Sequence, residues 1–385
     1  MIEKILLLGA TGSIGTQCIE LCETEKDRFH IVGVSFSKRV EVLENYIKYL
    51  PYLKCVGIED KEIADQFSLS HPQYVVFSGE ECNIRLVHEV EYDKVVNSLV
   101  GSAGFIPSLE VLKNNKTLCL ANKESLVIGG ELIKKVLVSG KGKMYPIDSE
   151  HVALSKLFKH ASREEIQKVI ITASGGSLRD YPLTKLKDVT LSDVLHHPTW
   201  SMGHRITIDS ATMVNKGFEF IEASYLFDIS IDMIDVLIND ESLVHSALLF
   251  NDNSYLFEVG PSDMKVAISY ALNETRRVKA DYKEVLFNRK CSINFREFNI
   301  ERYPLFKLVL DTFKLGGTSM AFLNAVDEEV ISQMIKGKLT YLEMEKAIEY
   351  LVKNKMINIS FPSEKDIMDV DKKARIIARY YLLSK

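Results

Sequence analysis

A glycine-rich turn near the start of the chain restricts the possible fold more than any other sequence feature. The apolar run Lys4–Leu8 predicts a buried strand, and the string GATGSIG follows it directly. Apolar residues then recur at helical spacing over residues 14–22. A glycine turn between a strand and a helix lets the backbone approach a pyrophosphate, which the helix N-terminus binds. The pattern predicts a dinucleotide-binding unit; a tight structural turn is the alternative.

Short apolar segments alternate with helical segments through the first part of the chain. They lie at residues 29–35, 54–58, 74–77, 94–99 and 117–120. Strands that alternate with helices are typical of a parallel sheet that helices cover on both faces. The predicted fold class is therefore α/β, with a Rossmann-like nucleotide-binding domain over residues 1–147.

The pattern changes after Met144. Strand-like segments at residues 168–172, 236–238, 246–250 and 255–259 predict a central α+β catalytic domain over residues 148–272. Residues 273–302 are charged and show little periodicity, so we expect a linker there. Four amphipathic stretches from Pro304 onward predict a C-terminal helical bundle over residues 303–385.

Composition excludes several classes of protein. Hydrophobic residues make up 46% and charged residues 26%, as in folded globular domains. The formal net charge of -5 argues against a duplex nucleic-acid binder. No apolar run is long enough for a transmembrane helix, the start shows no signal-peptide pattern, and the six cysteines form no CxxC pair. We therefore expect a cytoplasmic protein without nucleic-acid or membrane partners.

The end of the second predicted strand indicates which dinucleotide binds. NAD sites usually place an Asp or Glu there, against a ribose hydroxyl. This chain instead has Ser37, Lys38 and Arg39. A hydroxyl and a basic pair would bind the 2′-phosphate of NADPH, which a carboxylate would repel. We therefore predict NADPH as the cofactor; a solvated basic pair at a helix start is the alternative.

Polar residues also follow two other predicted strands. Asn122–Glu124 follow the strand at 117–120, at the edge where ligands bind in open α/β sheets. Asp148 and Glu150 follow the strand-like residues 144–147. In an extended segment these carboxylates would point the same way and could hold Mg²⁺ or Mn²⁺. Alternatively, Asp148 is a helix N-cap and Glu150 lies in the first turn.

The densest group of polar side chains lies at residues 197–219. It holds Trp200, the single tryptophan of the chain, and ends with Lys216 and Glu219. Buried polar groups need hydrogen-bond partners, so this density favours a polar ligand. The string TASGG at residues 172–176 follows another predicted strand, where Ser174 and backbone amides could bind a phosphate. A flexible turn is the alternative at that second segment.

Five strings in this order resemble the 1-deoxy-D-xylulose 5-phosphate reductoisomerase family, and the resemblance extends over essentially the whole chain. They are GATGSIG (9–15), LANKESLV (120–127), PIDSEH (146–151), TASGGSLRD (172–180) and HPTWSMGHRITIDSATMVNKGFE (197–219). Members of this family rearrange and reduce 1-deoxy-D-xylulose 5-phosphate to 2-C-methyl-D-erythritol 4-phosphate, in the non-mevalonate isoprenoid pathway. They use NADPH and a divalent metal ion (Mg²⁺, Mn²⁺ or Co²⁺). The resemblance implies this activity, a small sugar-phosphate substrate and a homodimer.

The resemblance also implies a role for each matching residue. Toward NADPH these are Gly9, Thr11, Gly12, Ser13 and Ile14 at the pyrophosphate, Ser37, Lys38 and Arg39 at the adenosine phosphate, and Asn122, Glu124, Gly203 and Met264 elsewhere on the cofactor. Toward the metal they are Asp148, Glu150 and Glu219. Toward the substrate they are Lys123, Ser149 and Glu150 at its reacting oxygens, Ser174, His197, Ser210, Asn215 and Lys216 at its phosphate, and Trp200 and Met202 on a flap that closes over it.

Some positions depart from the family pattern. Arg39 stands where many members have Asn, and His204 stands where Lys or Arg is common. Ser262 and Lys265 stand where the family has Pro and Arg, in a loop near the nicotinamide. The resemblance therefore implies no structure for that loop in this chain. The carboxylates and phosphate ligands all match, so the reaction is still expected. From the residues alone, a simple NADP-dependent dehydrogenase and a non-enzymatic nucleotide-sensing regulator are the alternatives.

Overall fold

The computed structural model describes residues 2–197, 199–200, 202–279 and 292–384. Pro198 and Ser201 of the predicted flap and residues 280–291 of the predicted linker lie outside the described residues. The strands are β1 (Glu3–Leu8), β2 (Phe29–Phe36), β3 (Cys55–Ile58), β4 (Val75–Ser78), β5 (Lys94–Asn97), β6 (Thr117–Leu120), β7 (Lys143–Pro146), β8 (Ile166–Ala173), β9 (Ile234–Asn239), β10 (Val244–Phe250), β11 (Tyr255–Val259) and β12 (Phe295–Glu297).

The helices are likewise numbered in chain order. They are α1 (Ser13–Thr24), α2 (Val40–Tyr46), α3 (Lys61–Ser70), α4 (Cys82–Glu89), α5 (Phe105–Lys113), α6 (Glu124–Ser139), α7 (Ser149–Leu157), α8 (Leu191–Leu195), α9 (His204–Thr212), α10 (Val214–Phe227), α11 (Met264–Leu272), α12 (Pro304–Phe313), α13 (Ser319–Ile335), α14 (Tyr341–Lys355) and α15 (Glu364–Leu383). Single 3₁₀ turns lie at Ile47–Tyr49, Gly101–Gly104, Arg163–Glu165, Leu183–Asp188, Ile231–Met233 and Ile300–Arg302.

The chain divides into two compact units. The first consists of residues 1–125, 131–152 and 263–282, and the second of residues 126–130, 153–262 and 283–385. The units are compact bodies of the fold, whereas the division predicted above is a functional one. The boundaries at 147, 272 and 302 therefore stay a prediction.

The first unit is built on a parallel seven-stranded sheet in the order β4-β3-β2-β1-β5-β6-β7. The residues Ile5–Leu8 are fully buried, because β1 is central and both of its faces are covered. Leu8 is level with Ser35 of β2 and Asn97 of β5. Asn97 is in turn level with Leu120 of β6. The segments that leave these strands therefore start from one edge of the sheet, where ligands bind in open α/β sheets.

The second unit is built on a mixed five-stranded sheet in the order β11-β10-β8-β9-β12. β8 runs parallel to β9 and antiparallel to β10. Its apolar residues, including Val169 and Ile171, pack into a core with Phe220 of α10 and Phe306 of α12. The Ser174–Gly176 loop leaves the carboxyl end of β8, so this core fixes the start of the loop.

The C-terminal residues form the predicted helical bundle. α13 packs against α12, α14 and α15. Capping boxes at Thr340 and Ser363 start α14 and α15, each with an acid at the third helical position that binds back to the cap. The α/β fold class with a C-terminal helical region is confirmed. None of the described helices combines the length and the apolar character needed to cross a membrane.

α9, α10 and β12 are elements that the sequence pattern did not predict. α9 and α10 occupy residues where no period was visible, because α10 is buried nearly all round and even Lys216 and Glu219 face the interior. β12 lies inside the predicted linker and pairs with β9 at the sheet edge. Its three residues are all exposed, so they show no alternation of apolar and polar side chains.

Candidate functional site

The glycine turn has the close contacts that its sequence predicts. Gly9 has φ +84, and a Cβ at this position would lie 2.6 Å from the Ser98 carbonyl oxygen. The amides of Gly9 and Ala10 donate to the Ser35 carbonyl at 3.1 and 2.8 Å. Gly12 is the N-cap of α1 and offers the helix no side-chain hydrogen bond. The turn therefore presents the first-turn amides of α1 at the carboxyl edge of the sheet, as a pyrophosphate site requires.

The basic residues that follow β2 lie on the surface. Ser37, Lys38 and Arg39 are exposed, and Arg39 is the N-cap residue of α2. The Lys38 ammonium lies 4.0 Å from Asp60, whose carboxylate caps α3. These side chains have the charge for a 2′-phosphate, and no acidic residue follows β2 directly.

The Asn122 side chain forms hydrogen bonds with the loops around it. Its side-chain amide donates to the carbonyls of Leu99 and Gly101 at 3.0 and 2.9 Å and to Glu124 at 3.0 Å. Its side-chain oxygen accepts from the Ser125 amide at 3.1 Å. Glu124 accepts from the Gly101 amide at 3.0 Å. The side chains of the predicted cofactor residues Asn122 and Glu124 thus stabilise the loop that follows β5 at this edge of the sheet.

Asp148 and Glu150 adopt the helical alternative. α7 begins at Ser149, and the Glu150 amide donates to Asp148 Oδ1 at 3.2 Å, as an N-cap contact does. The extended arrangement that would have pointed both carboxylates the same way is therefore wrong. Their carboxylate oxygens nevertheless approach within 4.8 Å of each other. Ser149 Oγ donates to Glu150 Oε2 at 2.5 Å.

A lysine and a histidine lie against the Asp148 carboxylate. Lys123 Nζ lies 2.7 Å from Asp148 Oδ2, and His151 Nδ1 lies 3.2 Å from Oδ1. Burial alone would raise the pKa of the Asp148 carboxyl, but the Lys123 charge and the His151 imidazole outweigh it and hold that pKa well below its usual range. Asp148 is therefore an anion that is ready to bind a cation.

Glu219 has a similar arrangement within the second unit. Glu219 is 1% exposed on α10. Asn215 donates to Oε1 at 2.5 Å, and the ammonium of the buried Lys216 contacts Oε2. Asn215, Lys216 and Glu219 thus form one cluster on α10. A buried carboxylate needs such a counter-charge as long as no other cation is bound.

Ser174 and His197 are in direct contact. Ser174 Oγ lies 2.9 Å from His197 Nε2, and the amides of Thr199 and Trp200 donate to His197 Nδ1 at 3.2 and 2.9 Å. Because Nδ1 accepts two hydrogen bonds, the ring proton lies on Nε2 and points to Ser174. Burial, and then the charge of Arg179, lower the pKa of His197 to about 4, so the ring is neutral at physiological pH.

The loop after β8 packs against the end of α9. A Cβ at Gly176 would lie 2.5 Å from the Ser210 carbonyl oxygen. Ser210 Oγ donates to the Ile206 carbonyl of its own helix at 2.8 Å. Met213, with φ +63, joins α9 to α10. The structure therefore places the Ser174 loop beside Ser210, and it continues from Ser210 directly into the helix that carries Lys216.

The predicted flap leads into α9. Trp200 and Met202 are half-buried, and Gly203 is the N-cap of α9. Among the described residues, none beyond its neighbours in the chain has an atom within 4 Å of the position that a Cβ at Gly203 would take. His197 is linked to this segment by the hydrogen bond from the Trp200 amide, so the flap is attached to a proposed phosphate ligand.

Met264 begins α11 and packs against the core of the first unit. Its neighbour Lys265, in the place of the family's arginine, pairs with Glu20 at 2.6 Å. Ser262 donates to the Ser242 carbonyl at 2.8 Å. The altered loop is therefore held by contacts of its own.

Two residues of these clusters were not assigned from the sequence. Arg179 donates to the Ser174 carbonyl at 2.8 Å, and His151 faces Asp148. Both lie inside strings that carry the family resemblance, TASGGSLRD and PIDSEH. That position was the only available signal, because neither residue has a spacing that indicates its partner.

Models of one protein family match most of the chain. Residues 5–130 match 1-deoxy-D-xylulose 5-phosphate reductoisomerase, and residues 144–227 match the C-terminal domain of the same enzyme. Residues 259–377 match the DXP reductoisomerase C-terminal domain.

Relatives and solved structures agree with these matches. A 1-deoxy-D-xylulose 5-phosphate reductoisomerase of Bacillus pumilus is 38% identical over 374 residues, which is 96% of this chain and 97% of the relative. That of Halothermothrix orenii is 38% identical over 380 residues, 98% of each chain. A DOX-P reductoisomerase in complex with NADPH, fosmidomycin and magnesium superposes with a TM-score of 0.92 at 29% identity, covering 99% of this chain and 98% of that one. The Zymomonas mobilis enzyme in complex with NADPH gives 0.89 at 29% identity and covers all of both chains.

Proposed function

This chain belongs to the 1-deoxy-D-xylulose 5-phosphate reductoisomerase family, and we propose which of its residues bind the cofactor, the metal ion and the substrate. It converts 1-deoxy-D-xylulose 5-phosphate to 2-C-methyl-D-erythritol 4-phosphate with NADPH and a divalent metal ion. The predicted activity and cofactors are confirmed, and nothing in the comparisons supports a simple dehydrogenase or a nucleotide sensor.

The residues present fit both groups. Asp148, Glu150 and Glu219 supply hard anionic oxygens, which Mg²⁺ and Mn²⁺ prefer. The close contact behind Gly9 leaves room only for glycine where a pyrophosphate must approach the backbone. A bound metal ion would supply Lewis acidity, and bound NADPH would supply the hydride.

The observation that carries the metal-site proposal is that its carboxylates are already paired with lysines. Lys123 neutralises Asp148 in one unit, and Lys216 neutralises Glu219 in the other. Asp148 and Glu219 would hold a divalent ion in place of these ammonium groups. The displaced lysines can then turn to anionic substrate groups, Lys216 to the phosphate and Lys123 to the reacting oxygens. Lys123 Nζ also holds a proton within reach of those oxygens.

The remaining side chains bind and shield the substrate. Ser174, Ser210 and Asn215 donate hydrogen bonds to its phosphate, and His197 adds the Nε2 proton that it now directs at Ser174. Ser149 binds at the reacting end. Trp200 and Met202 close over the carbon skeleton and exclude water. Energy from the remote phosphate contacts then supports this closure.

The metal proposal is tested with Glu219→Gln, which keeps the shape of the side chain and removes its charge. We expect at least about 100-fold weaker Mn²⁺ binding in calorimetry, with NADPH affinity unchanged, because an anionic ligand is lost. Glu258→Gln is the matched control, since Glu258 pairs with Lys156 at 2.7 Å in the same unit outside the proposed site. Equal Mn²⁺ affinity in the two variants would show that Glu219 is not a ligand.

A homodimer in a reducing compartment is the form of the enzyme that we propose. Among the described strands, β11 pairs only with β10, and it exposes the stacked rings of Tyr255 and Phe257. An edge strand of this kind favours pairing with a second copy. The five described cysteines are all free, which supports the cytoplasm. Sedimentation equilibrium of the native chain and of Phe257→Lys tests the dimer; a monomeric native chain would contradict it.

A further inference from the structure

One peptide group in the loop after β8 is held at both ends. Its carbonyl, that of Gly175, accepts a hydrogen bond from Tyr303 Oη at 3.1 Å. Its amide, that of Gly176, donates to Ser174 Oγ at 3.2 Å. The carbonyl and the amide of a trans peptide point in opposite directions. Fixing the Gly175 carbonyl toward Tyr303 therefore directs the Gly176 amide toward Ser174.

This peptide has little stiffness of its own. Gly175 has φ +81 and Gly176 has φ +73, so glycines in the left-handed region stand on both sides of it. Without a Cβ on either side, the peptide plane can turn over at small cost. Its orientation therefore depends on contacts made by other parts of the chain.

Tyr303 is a rigid anchor for such a contact. Its side chain is 5% exposed and belongs to the core of the second unit. Its ring stacks on Phe298 with the centroids 5.2 Å apart, and α12 begins at the next residue. The neighbouring Arg302 donates to the carbonyls of Leu178 and Tyr181, which lie further along the same loop. Arg302, the last residue of the predicted linker, and Tyr303 thus hold the segment that carries Ser174.

We propose that Tyr303 is a positioning residue for phosphate binding. By locking the Gly175–Gly176 peptide, it holds Ser174 Oγ in the orientation that receives the substrate phosphate. The proposal rests on the proposed role of Ser174. A ligand group that is fixed before binding loses less conformational freedom when the ligand arrives. Loss of the Tyr303 hydroxyl is therefore expected to weaken phosphate binding without altering the groups that touch the phosphate.

The test compares two Tyr→Phe variants of the full chain. Tyr303→Phe removes the hydroxyl that holds Gly175. Tyr92→Phe removes an equally buried hydroxyl that donates to the Val87 carbonyl at 2.9 Å, in the unit that does not contain Ser174. Both variants lose one buried hydrogen bond, so thermal unfolding is expected to show similar losses of stability. Only Tyr303→Phe is expected to raise the KM for 1-deoxy-D-xylulose 5-phosphate and the Kd of inorganic phosphate, each by about fivefold. The KM for NADPH stays unchanged.

Ser174→Ala separates a failure of this inference from a failure of the proposed function. If Ser174→Ala leaves phosphate affinity unchanged, Ser174 is not a phosphate ligand and the proposed function is wrong at that residue. If Ser174→Ala weakens phosphate binding and Tyr303→Phe does not, Tyr303 has no positioning role. In the double variant, we expect Tyr303→Phe to add nothing to Ser174→Ala, because it acts through that hydroxyl. Additive losses would overturn the proposal.

Discussion

Gly176 offers a direct test of how the phosphate loop packs on α9. It has φ +73, and a Cβ added there would lie 2.5 Å from the Ser210 carbonyl oxygen and 2.7 Å from the Ala211 Cα. Ordinary van der Waals contact starts at 3.4 Å, so Gly176→Ala places the new methyl group about 0.9 Å too close to backbone. Backbone atoms of a helix cannot yield as a flexible side chain does, so the loop itself has to move.

A second glycine separates the two costs of that substitution. Gly337 has the same φ of +73, and in the described part of the chain no atom beyond its sequence neighbours lies within 4 Å of its Cβ position. Gly337→Ala therefore carries only the left-handed penalty, about 1–2 kcal/mol. Gly176→Ala carries the same penalty plus overpacking of about 1–3 kcal/mol. Urea unfolding is expected to show that difference between the two variants.

The same variant reports on function. A loop displaced by part of an ångström misplaces Ser174, so kcat/KM for 1-deoxy-D-xylulose 5-phosphate is expected to fall by about tenfold or more in Gly176→Ala. Gly337→Ala is expected to keep the native value, and both variants should bind NADPH normally. Equal stability losses at the two glycines would refute the packing of the loop on α9. A larger loss at Gly176 with native kcat/KM would refute the role of the loop in substrate binding.

Three further predictions concern the cofactor, the flap and the pH dependence of stability. Arg39→Glu is expected to lower the preference for NADPH over NADH, because a carboxylate repels the 2′-phosphate; the ratio of kcat/KM values measures it, and an unchanged ratio would contradict the assignment. Substrate is expected to change the emission of Trp200, and Trp200→Ala to reduce turnover while NADPH affinity survives; a constant spectrum at saturation with native turnover would count against a flap. Burial raises the pKa of Glu345 to about 7 from its ordinary 4.5, so its stabilising effect is complete below 4.5 and is lost as the pH rises through 7. Glu345→Gln keeps an acceptor for the Tyr341 hydroxyl, which lies 3.0 Å from Glu345 Oε1. At pH 8 its free energy of unfolding is expected to exceed that of the native chain by about 2–3 kcal/mol, whereas no such gain is expected at pH 5. Equal effects at the two pH values would contradict this.

Some elements follow the sequence closely because their signals are local. β1 and the turn at Gly9 combine an uninterrupted apolar run with glycines that a close backbone approach requires. The helices of the C-terminal bundle each carry an apolar face, and Thr340 and Ser363 mark where two of them begin. Such features depend on neighbouring residues, so the chain order alone specifies them.

The elements that were missed lack that local signal. α10 buries polar and apolar residues alike, because Lys216 and Glu219 pair with each other inside the protein. A helix of this kind shows no amphipathic period. β12 is an exposed edge strand of three residues, and only its pairing with β9 defines it.

The sequence by itself determined the α/β fold, the dinucleotide turn and the set of residues that resembles one enzyme family. Only the tertiary structure decided that Asp148 caps α7, that His197 directs its proton to Ser174, and that Tyr303 holds the loop beside it. The sequence signals of turns and buried strands lie in residues that are neighbours in the chain. His197 lies 23 residues from Ser174 in the chain, and Tyr303 lies 128 residues from Gly175. Such pairs are set by packing of the whole unit, and no spacing in the sequence records them.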